Sequence, residues 1–267
     1  MEFFPGLFLP AARDRWCARL VNGVRAFEST LGISLNRAHS GSKARPTIKD
    51  VPDLREFFEG RLRTRNRWFS LFSGNGLQRT DRGLENRDYY NFGGKLYGDE
   101  SLFSILIQTP PLAPETAEKL LVALGDALEI QAAQYTPDAA ARRLRLAHWC
   151  VKLGHDVIRH PLVDRSAAEE LLPVICESTY DGLSPRQPHH FGWLNYWSPE
   201  VCAEMKFASR INAPWLSDSY LTPRGGRLFK LGEQAPQAED DTFTRRLQGA
   251  YLDFPKVARR LEETGAR

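Results

Sequence analysis

Cysteine is scarce in this sequence and follows no ligand or disulfide pattern. The 267 residues include four cysteines, at positions 17, 150, 176 and 202, and none of them forms a C-x-x-C pair. Closely spaced cysteines usually mark zinc sites, and dense, even sets of them mark small secreted domains. We therefore expect free thiols, which fit a protein of the reducing cytoplasm.

The sequence also lacks a long apolar segment. No stretch approaches the roughly 20 apolar residues that are needed to cross a bilayer. The N-terminal MEFFPGLFLP is briefly apolar, but it begins with Glu2 and is interrupted by Pro5 and Pro10. Because it has no basic n-region, it is a poor secretory signal, and we expect no association with membranes.

Neither sign of charge is in large excess. The chain has 36 basic and 33 acidic residues, a net charge of +3. This balance excludes a global mimic of DNA and argues against a strongly basic nucleic-acid binder. A local excess lies in residues 37–67, which hold nine Lys or Arg against four Asp or Glu.

Sequence motifs of several enzyme classes are missing. The chain has no G-x-S-x-G elbow and no P-loop, and its SGNG segment has Arg79 where a dinucleotide fingerprint needs a third glycine. Cys150 near His155 and Cys202 near His190 are conceivable nucleophile pairs in sequence. Isolated cysteines of this kind are more often small buried hydrophobic residues.

The helical and strand patterns predict an α+β fold with a mixed, mainly antiparallel sheet flanked by helices. We expect one unit over residues 1–267, which could divide into subdomains 1–110 and 111–267. The predicted elements are a helix over 11–31 ended by Gly32, a loop over 41–46, a short helix within 53–62, a central strand over 101–108, a helix from Pro114, a helix from 136 through His148 and Trp149, a strand over 192–197, a hairpin turning at 223–226, and a final helix with Phe243, Leu247 and Tyr251 on one face.

The stretch HHFGWLNYWSPEVCAEM, residues 189–205, is the richest in chemically versatile side chains. As an extended segment it places Trp193, Asn195 and Trp197 on one face of a strand, and Leu194 with Tyr196 on the other. Aromatic residues of this size bury about 150–250 Å² each. We therefore interpret the stretch as sheet core, and we interpret Glu200 and Glu204 as the solvated side of a short helix.

A set of spaced motifs resembles a known family. The set comprises Gly192-Trp193 and Tyr196-Trp197 on one strand, the Gly225-Gly226 hairpin, and Phe254-Pro255 near the end of the chain. It resembles the bacterial polymorphic-toxin immunity proteins grouped as immunity protein family 52, in particular the immunity partner of a type VI secretion effector. The resemblance implies an α+β protein without catalytic residues, metal or cofactor.

The same resemblance implies a partner and a location. The partner would be a cognate toxin with a restriction-endonuclease-like nuclease domain, bound and neutralised in the cytoplasm. Direct contact with nucleic acid, a membrane or a small-molecule substrate is not expected.

Three features are candidates for contact with such a toxin. Local mimicry of phosphates by carboxylates is open to Glu233, Glu239, Asp240 and Asp241, although an acidic loop can equally be a merely soluble loop. Trp215, in the loop-like NAPWLSD, is the candidate exposed aromatic anchor. The basic stretch 37–67 is the opposing candidate, for an acidic toxin surface.

Two alternative functions stay open at this point. The first is a metal-dependent phosphohydrolase built on the His155-Asp156 pair with His148 and His160, which predicts stoichiometric transition metal in the purified protein. The second is a nucleic-acid-binding module that uses the basic stretch 37–67 with Trp68 and Phe69 as stacking platforms, and it predicts steeply salt-dependent affinity for DNA.

Overall fold

The computed structural model of the chain consists of two compact units, Met1–Ala133 and Gln134–Arg267. The helix that begins at Pro114 packs on the first helix and belongs to the first unit. The structure describes residues 1–6, 12–42, 45–63, 68–73, 78–80, 83–85, 90–97, 102–137, 140, 188, 191–237, 240–254 and 257.

The described residues of the first unit form a sheet and three helices. In chain order its elements are β1 (Glu2–Gly6), α1 (Arg13–Leu31), β2 (Arg37–Ser42), β3 (Arg45–Asp50), α2 (Leu54–Arg63), β4 (Trp68–Phe72), β5 (Gln78–Thr80), β6 (Gly83–Glu85), β7 (Asn91–Tyr97), β8 (Leu102–Gln108) and α3 (Pro114–Leu128), followed by β9 (Ala132–Tyr135) across the boundary. The order of its sheet is β1-β8-β7-β4-β2-β3, and these pairings are antiparallel.

The central strand of this unit is the one that the sequence predicts. Strand β8 lies between β1 and β7, with Glu2 opposite Leu106 on one side and Gly93 opposite Leu106 on the other. Ile105 and Ile107 are buried, whereas Leu106 is 45% exposed. The alternation places one face of β8 in the core and leaves the other accessible.

Helix α1 ends where its sequence predicts. Gly32 adopts the left-handed conformation at φ 66°, and its N–H donates to the carbonyl of Glu28. A residue without a Cβ accepts this conformation at little cost, which is why glycine is common after the last helical turn. The buried face of the helix includes Trp16, Leu20, Val24 and Phe27, as its three-to-four-residue spacing requires.

Helix α3 packs on α1 through closely fitted side chains. Its buried residues Leu120, Leu121, Leu124 and Leu128 repeat at helical spacing after a proline in the first turn. A Cβ added at Gly23 of α1 would collide with the side chain of Leu128. The glycine therefore permits the close approach of the two helices.

An ion-pair cluster joins the same two helices. Glu129, which follows α3 at φ 49°, accepts hydrogen bonds from the guanidinium groups of Arg15 (2.7 Å) and Arg19 (2.8 Å from Nε). The Arg19 guanidinium carbon also lies 5.1 Å from the centroid of the Trp16 ring. Burial raises the pKa of Glu129, but hydrogen bonds from the two arginines outweigh it, so the pKa is lowered overall.

Replacing Glu129 with glutamine is expected to lower the free energy of unfolding at pH 7 by about 0.5–1 kcal/mol, a small value because water screens this partly exposed pair. A lowered pKa means that the stabilisation is complete above the ordinary carboxyl value of 4.5 and is lost as the pH falls through the folded-state pKa. Urea unfolding at pH 7 and at a pH well below 4.5 measures this. The two proteins should converge in acid, whereas Glu233→Gln, an exposed control, should match the unchanged protein throughout.

The second unit contains a three-stranded antiparallel arrangement with helices. Its elements after β9 are β10 (Leu194–Trp197), α4 (Pro199–Glu204), the 3-10 helix η1 (Phe207–Arg210), β11 (Asp218–Leu221), β12 (Arg227–Lys230) and α5 (Asp241–Asp253). Strand β12 lies between β10 and β11, with Phe229 opposite both Asn195 and Ser219. The predicted strand, hairpin and final helix are thus confirmed, as is the α+β class.

One local prediction is wrong. The GSKARP segment is predicted as a loop over 41–46. It instead contains the last two residues of β2, which ends at Ser42, and the first two residues of β3, which begins at Arg45. Pro46 pairs with Gly41 in this hairpin. Proline and glycine suggest a loop in sequence, but an edge strand tolerates a proline because one side of its backbone makes no ladder bonds. The helix predicted from 136 through His148 and Trp149 lies mostly outside the described residues.

Candidate functional site

The second unit is organised around a cluster of aromatic rings. Trp197 lies 5.0 Å from Phe229, 5.1 Å from Phe254 and 5.6 Å from Phe207, centroid to centroid, in edge-on arrangements. Phe191 joins the cluster 5.1 Å from Tyr251. Aromatic rings favour such edge-on contacts because the positive ring edge meets the negative ring face. The interpretation of the 189–205 stretch as core is confirmed for residues 191–198, which are buried.

Trp215 belongs to this cluster, and the prediction of an exposed anchor is wrong. Its side chain is only 3% exposed, and its ring lies 5.7 Å from that of Phe254. The indole Nε1–H donates to Asp253 at 2.6 Å. Gly249 of α5 makes room for it, since an added Cβ would lie 3.2 Å from the indole. The loop-like sequence around Trp215 does not predict its hydrogen bond to Asp253, because the two residues are distant in sequence and become neighbours only in the fold.

The Gly192–Asn195 segment forms a closed polar clamp, which we call the glycine–asparagine clamp. The Asn195 side chain is fully buried; its Oδ1 accepts from the Gly192 N–H at 2.8 Å, and its Nδ2 donates to the Gly192 carbonyl at 2.9 Å. A Cβ at Gly192 would lie 2.8 Å from the carbonyl of Tyr135. The Trp193 indole donates to the carbonyl of Gly232 at 2.8 Å. These groups are satisfied within the fold, as buried polar groups must be.

Glycine is required at positions 225 and 226 of the hairpin for two different structural reasons. Gly225 has φ 80°, a conformation that side chains disfavour. Gly226 has an ordinary φ, but an added Cβ would lie 2.9 Å from the Tyr196 hydroxyl. Together with the clamp, this explains the motifs Gly192, Trp193, Tyr196, Trp197, Gly225 and Gly226 as elements of the fold. Phe254 is buried in the aromatic cluster, and Pro255 lies outside the described residues.

The acidic residues that are predicted to contact a toxin differ in exposure and in hydrogen bonding. Asp240 caps α5, because its side chain accepts from the Phe243 N–H at 2.8 Å. An aspartate directly before a helical pattern is a recognisable N-cap signal in sequence. Glu233 and Asp241 are exposed, and Glu239 lies outside the described residues. Asp240 therefore has a structural role as a helix cap, whereas the carboxylates of Glu233 and Asp241 are accessible.

The basic stretch 37–67 carries internal partners. Arg37 pairs with Asp50 at 3.8 Å, and Arg63 pairs with Glu59 at 3.6 Å. Arg61 donates to the carbonyl of His39 at 3.1 Å. Part of the local charge excess is thus used within the first unit.

The aromatic residues after the basic stretch do not form the predicted pair of stacking platforms. Phe69 is 1% exposed and packs 5.1 Å from Phe58, so it is wrong as a platform for bases. Phe69 lies on the face of β4 that packs against Phe58 of helix α2. The alternation of Phe69 with polar Ser70 in the sequence does not predict which face of the strand is buried. The side chain of Trp68 lies outside the described residues.

The two described cysteines sit in environments that suppress thiolate formation. Burial raises the pKa of Cys17, which is 0% exposed. Burial also raises the pKa of Cys202 to about 11, and the nearby Arg227 lowers it only in part. A nucleophilic cysteine needs a depressed pKa. Cys150 and Cys176 lie outside the described residues.

We expect Cys202 to resist alkylation in the folded protein at pH 8. Because its pKa is about 11, on the order of one thiol in a thousand is ionised at that pH. Iodoacetamide labelling followed by peptide mass spectrometry measures the modified fraction, with the urea-unfolded protein as the control. Rapid labelling of Cys202 in the folded protein would show that its thiol is accessible and activated.

The described part of the chain gives no metal site. No group of three or more His, Cys, Asp or Glu there is placed to hold an ion. His148, His155, Asp156 and His160 of the phosphohydrolase alternative lie outside the described residues, as do His189 and His190. Glu200 and Glu204 are both exposed on α4, as expected. Among the described helices none is long and apolar enough to span a membrane.

An edge strand of the second unit carries two adjacent exposed large hydrophobic side chains. Strand β11 pairs with β12 on one side, and within the described residues no strand pairs with its other side. Tyr220 and Leu221 of this strand are 39% and 66% exposed. Pro223 and Arg224, in the turn that follows, are exposed as well.

One family model matches this sequence over residues 127–262, and its description is Domain of unknown function (DUF5953). The matched segment makes up just over half of the 267 residues. The chain belongs to the DUF5953 family. This is a different family from immunity protein family 52, which the spaced motifs resemble, so membership of that family is not confirmed. No curated protein matches the sequence significantly.

The fold of this DUF5953 member is similar to that of a solved structure, the Pseudomonas aeruginosa T6SS protein PA0821. The TM-score is 0.56 and the sequence identity is 14%, over 96% of this chain and 72% of the other. At this identity the likeness concerns the fold alone.

The region matched by the DUF5953 model contains the features described above in the second unit. The glycine–asparagine clamp, Trp215, the β11–β12 hairpin and helix α5 all lie within residues 127–262. The ion-pair residue Glu129 lies within it too, whereas the basic stretch 37–67 lies before it.

Proposed function

We propose that this DUF5953 member is a non-catalytic immunity protein that binds and neutralises a cognate nuclease toxin of a type VI secretion system in the cytoplasm. The observation that supports a type VI secretion role is the similarity in fold to the T6SS protein PA0821, which extends over 96% of this chain, and the immunity role is inferred from the resemblance of the spaced motifs to immunity proteins. The toxin would be recognised as a folded protein, with no cofactor, metal or nucleic acid bound by this chain itself.

The environments of the described residues support a binding role. The polar groups of the 191–197 segment are used within the fold, through the glycine–asparagine clamp and the bond from Trp193 to Gly232. The two described thiols have raised pKa values. The nuclease class of the toxin rests on the resemblance of the GWLNYW, TPRGGRLFKL and AYLDFP segments to immunity proteins of nuclease toxins.

Co-expression with the toxin encoded beside this gene tests the proposal. Cells that make the tagged toxin should survive only with this chain present, and the two proteins should co-elute at high salt. In a purified system the chain should stop the toxin from degrading plasmid DNA at a one-to-one ratio. Leu252→Ala, which changes an exposed side chain, should protect fully, whereas a variant that unfolds the second unit should not.

Three experimental outcomes would contradict the proposal, and each of them has a different meaning. A toxin that kills in the presence of this chain and elutes alone would overturn the pairing. Stoichiometric transition metal together with phosphatase activity in the lone chain would favour the phosphohydrolase alternative. Retention on DNA at low salt, lost steeply as salt rises, would favour the nucleic-acid-binding alternative.

A further inference from the structure

We propose that strand β11 is the docking edge of this protein, where an extended, acidic segment of the toxin adds a strand to the β10-β12-β11 sheet. This inference rests on the proposed function and assigns the surface through which it acts.

The backbone of β11 offers the hydrogen-bonding groups that strand addition requires. Thr222 N–H donates to the Gly226 carbonyl at 2.8 Å, which makes Thr222 and Gly226 a hydrogen-bonded pair of the antiparallel ladder. Counting back in steps of two, Tyr220 and Asp218 face β12, whereas Ser219 and Leu221 direct their N–H and C=O groups away from it. An incoming strand would therefore meet Ser219 and Leu221.

The side chains of β11 are unusual for an accessible edge. Proteins commonly protect such edges with charge, proline or a bulge, because an exposed apolar edge pairs with other chains. Here Leu221 and Tyr220 are 66% and 39% exposed. Consecutive strand residues point to opposite faces, so these two side chains would flank an added strand on both faces of the sheet. Strand addition obtains affinity from the main chain and specificity from such flanking side chains.

The charge around the edge indicates the chemistry of the partner. Residues 206–230 contain five basic residues and one acidic residue, Asp218, which pairs with Lys230 at 3.8 Å, and Arg210 pairs with Asp253 at 3.4 Å. With both aspartates counted, the net charge of this group is 5 − 2 = +3. Arg227 lies against Phe207, at 5.4 Å from the ring, and donates to Ser219 on β11 at 3.1 Å. Arg224 is exposed in the turn that follows Leu221. A basic edge attracts an acidic segment and accelerates its association.

Two substitutions at Leu221 separate main-chain pairing from side-chain contact. Leu221→Pro removes an N–H that points away from β12, so it leaves the β11–β12 ladder intact while it blocks strand addition. Leu221→Thr keeps that N–H and removes most of the apolar side chain. We expect about a 100-fold weaker Kd for proline and less than a tenfold change for threonine, measured by calorimetry with a catalytically inactive toxin. Thermal unfolding of each free variant confirms that it is folded.

A charge reversal tests the same edge without changing its backbone. Arg224→Glu should slow association with the toxin about tenfold at low salt, and the difference should shrink as salt rises. Arg25→Glu reverses an equally exposed arginine on α1 of the first unit and should leave the rate unchanged. This pair keeps the proposal testable if Leu221→Pro does not fold.

The outcomes distinguish the edge from the function as a whole. An unchanged Kd for Leu221→Pro together with an unchanged association rate for Arg224→Glu, with toxin still bound by the unchanged protein, overturns the edge and leaves the immunity role intact. Failure of the unchanged protein to bind toxin overturns both. A dimer of this chain in sedimentation that Leu221→Pro dissociates, or a DNA oligonucleotide that binds the edge in place of toxin, overturns the assignment of the occupant.

Discussion

Trp215→Ala is expected to lower the free energy of unfolding by about 3–5 kcal/mol. The substitution removes a ring that is 3% exposed and leaves a cavity among Phe191, Phe207, Phe229 and Phe254. It also removes the indole donor from Asp253, whose carboxylate keeps its 3.4 Å contact with Arg210. Denaturant unfolding, followed by intrinsic fluorescence and by circular dichroism, measures the loss.

Two matched variants identify which part of Trp215 matters. Trp215→Phe keeps a buried ring and removes the hydrogen bond, so it should cost less than alanine. Leu252→Ala removes an apolar side chain that is 63% exposed on α5, the helix that carries Asp253, and it should change the free energy by less than about 0.5 kcal/mol. Equal effects of Trp215→Ala and Leu252→Ala would mean that the aromatic cluster contributes little to stability.

The burial of Trp215 could not be predicted from the sequence, whereas the buried faces of the helices could. The periodicity of α1, α3 and α5 predicted their buried faces correctly, because helix period and apolar spacing are local properties. The strand over 101–108 was predicted for the same reason. A single tryptophan among Asn, Ala, Pro, Ser and Asp carries no periodic signal, so its position could not be predicted. Its burial depends on Gly249 and Asp253, which follow it by more than thirty positions in sequence.

One of the candidate contact residues, Asp240, has a structural role that was missed for a related reason. Acidic residues near 233–241 suggested mimicry of phosphates, but Asp240 is the N-cap of α5. The hairpin itself was predicted from Pro223 to Gly226, yet its sequence does not reveal which of its two strands is paired on both sides. Only the register shows that β12 lies inside and β11 at the edge. The accessible Tyr220 and Leu221 thus became a candidate surface only once strand order was known.

The glycine–asparagine clamp gives the second large expected effect. Asn195→Asp should lower the free energy of unfolding at pH 7 by about 3–5 kcal/mol, because a carboxyl group at this fully buried position must either hold its proton far above its ordinary pKa or carry an uncompensated charge. The carboxylate can still accept from the Gly192 N–H, but it cannot donate to the Gly192 carbonyl. Unfolding in urea at pH 7 measures the loss.

The loss should depend on pH in a direction that identifies its cause. Below about pH 4 an aspartic acid is neutral in the unfolded chain, and the neutral acid can both donate and accept, as the amide does. As the pH rises, the unfolded state ionises readily and the buried group does not, so the penalty grows. Asn195→Ala has no such group and should differ from the unchanged protein by a nearly constant amount across the same range. A pH-independent loss in Asn195→Asp would mean that altered packing, and not the buried charge, destabilises the variant.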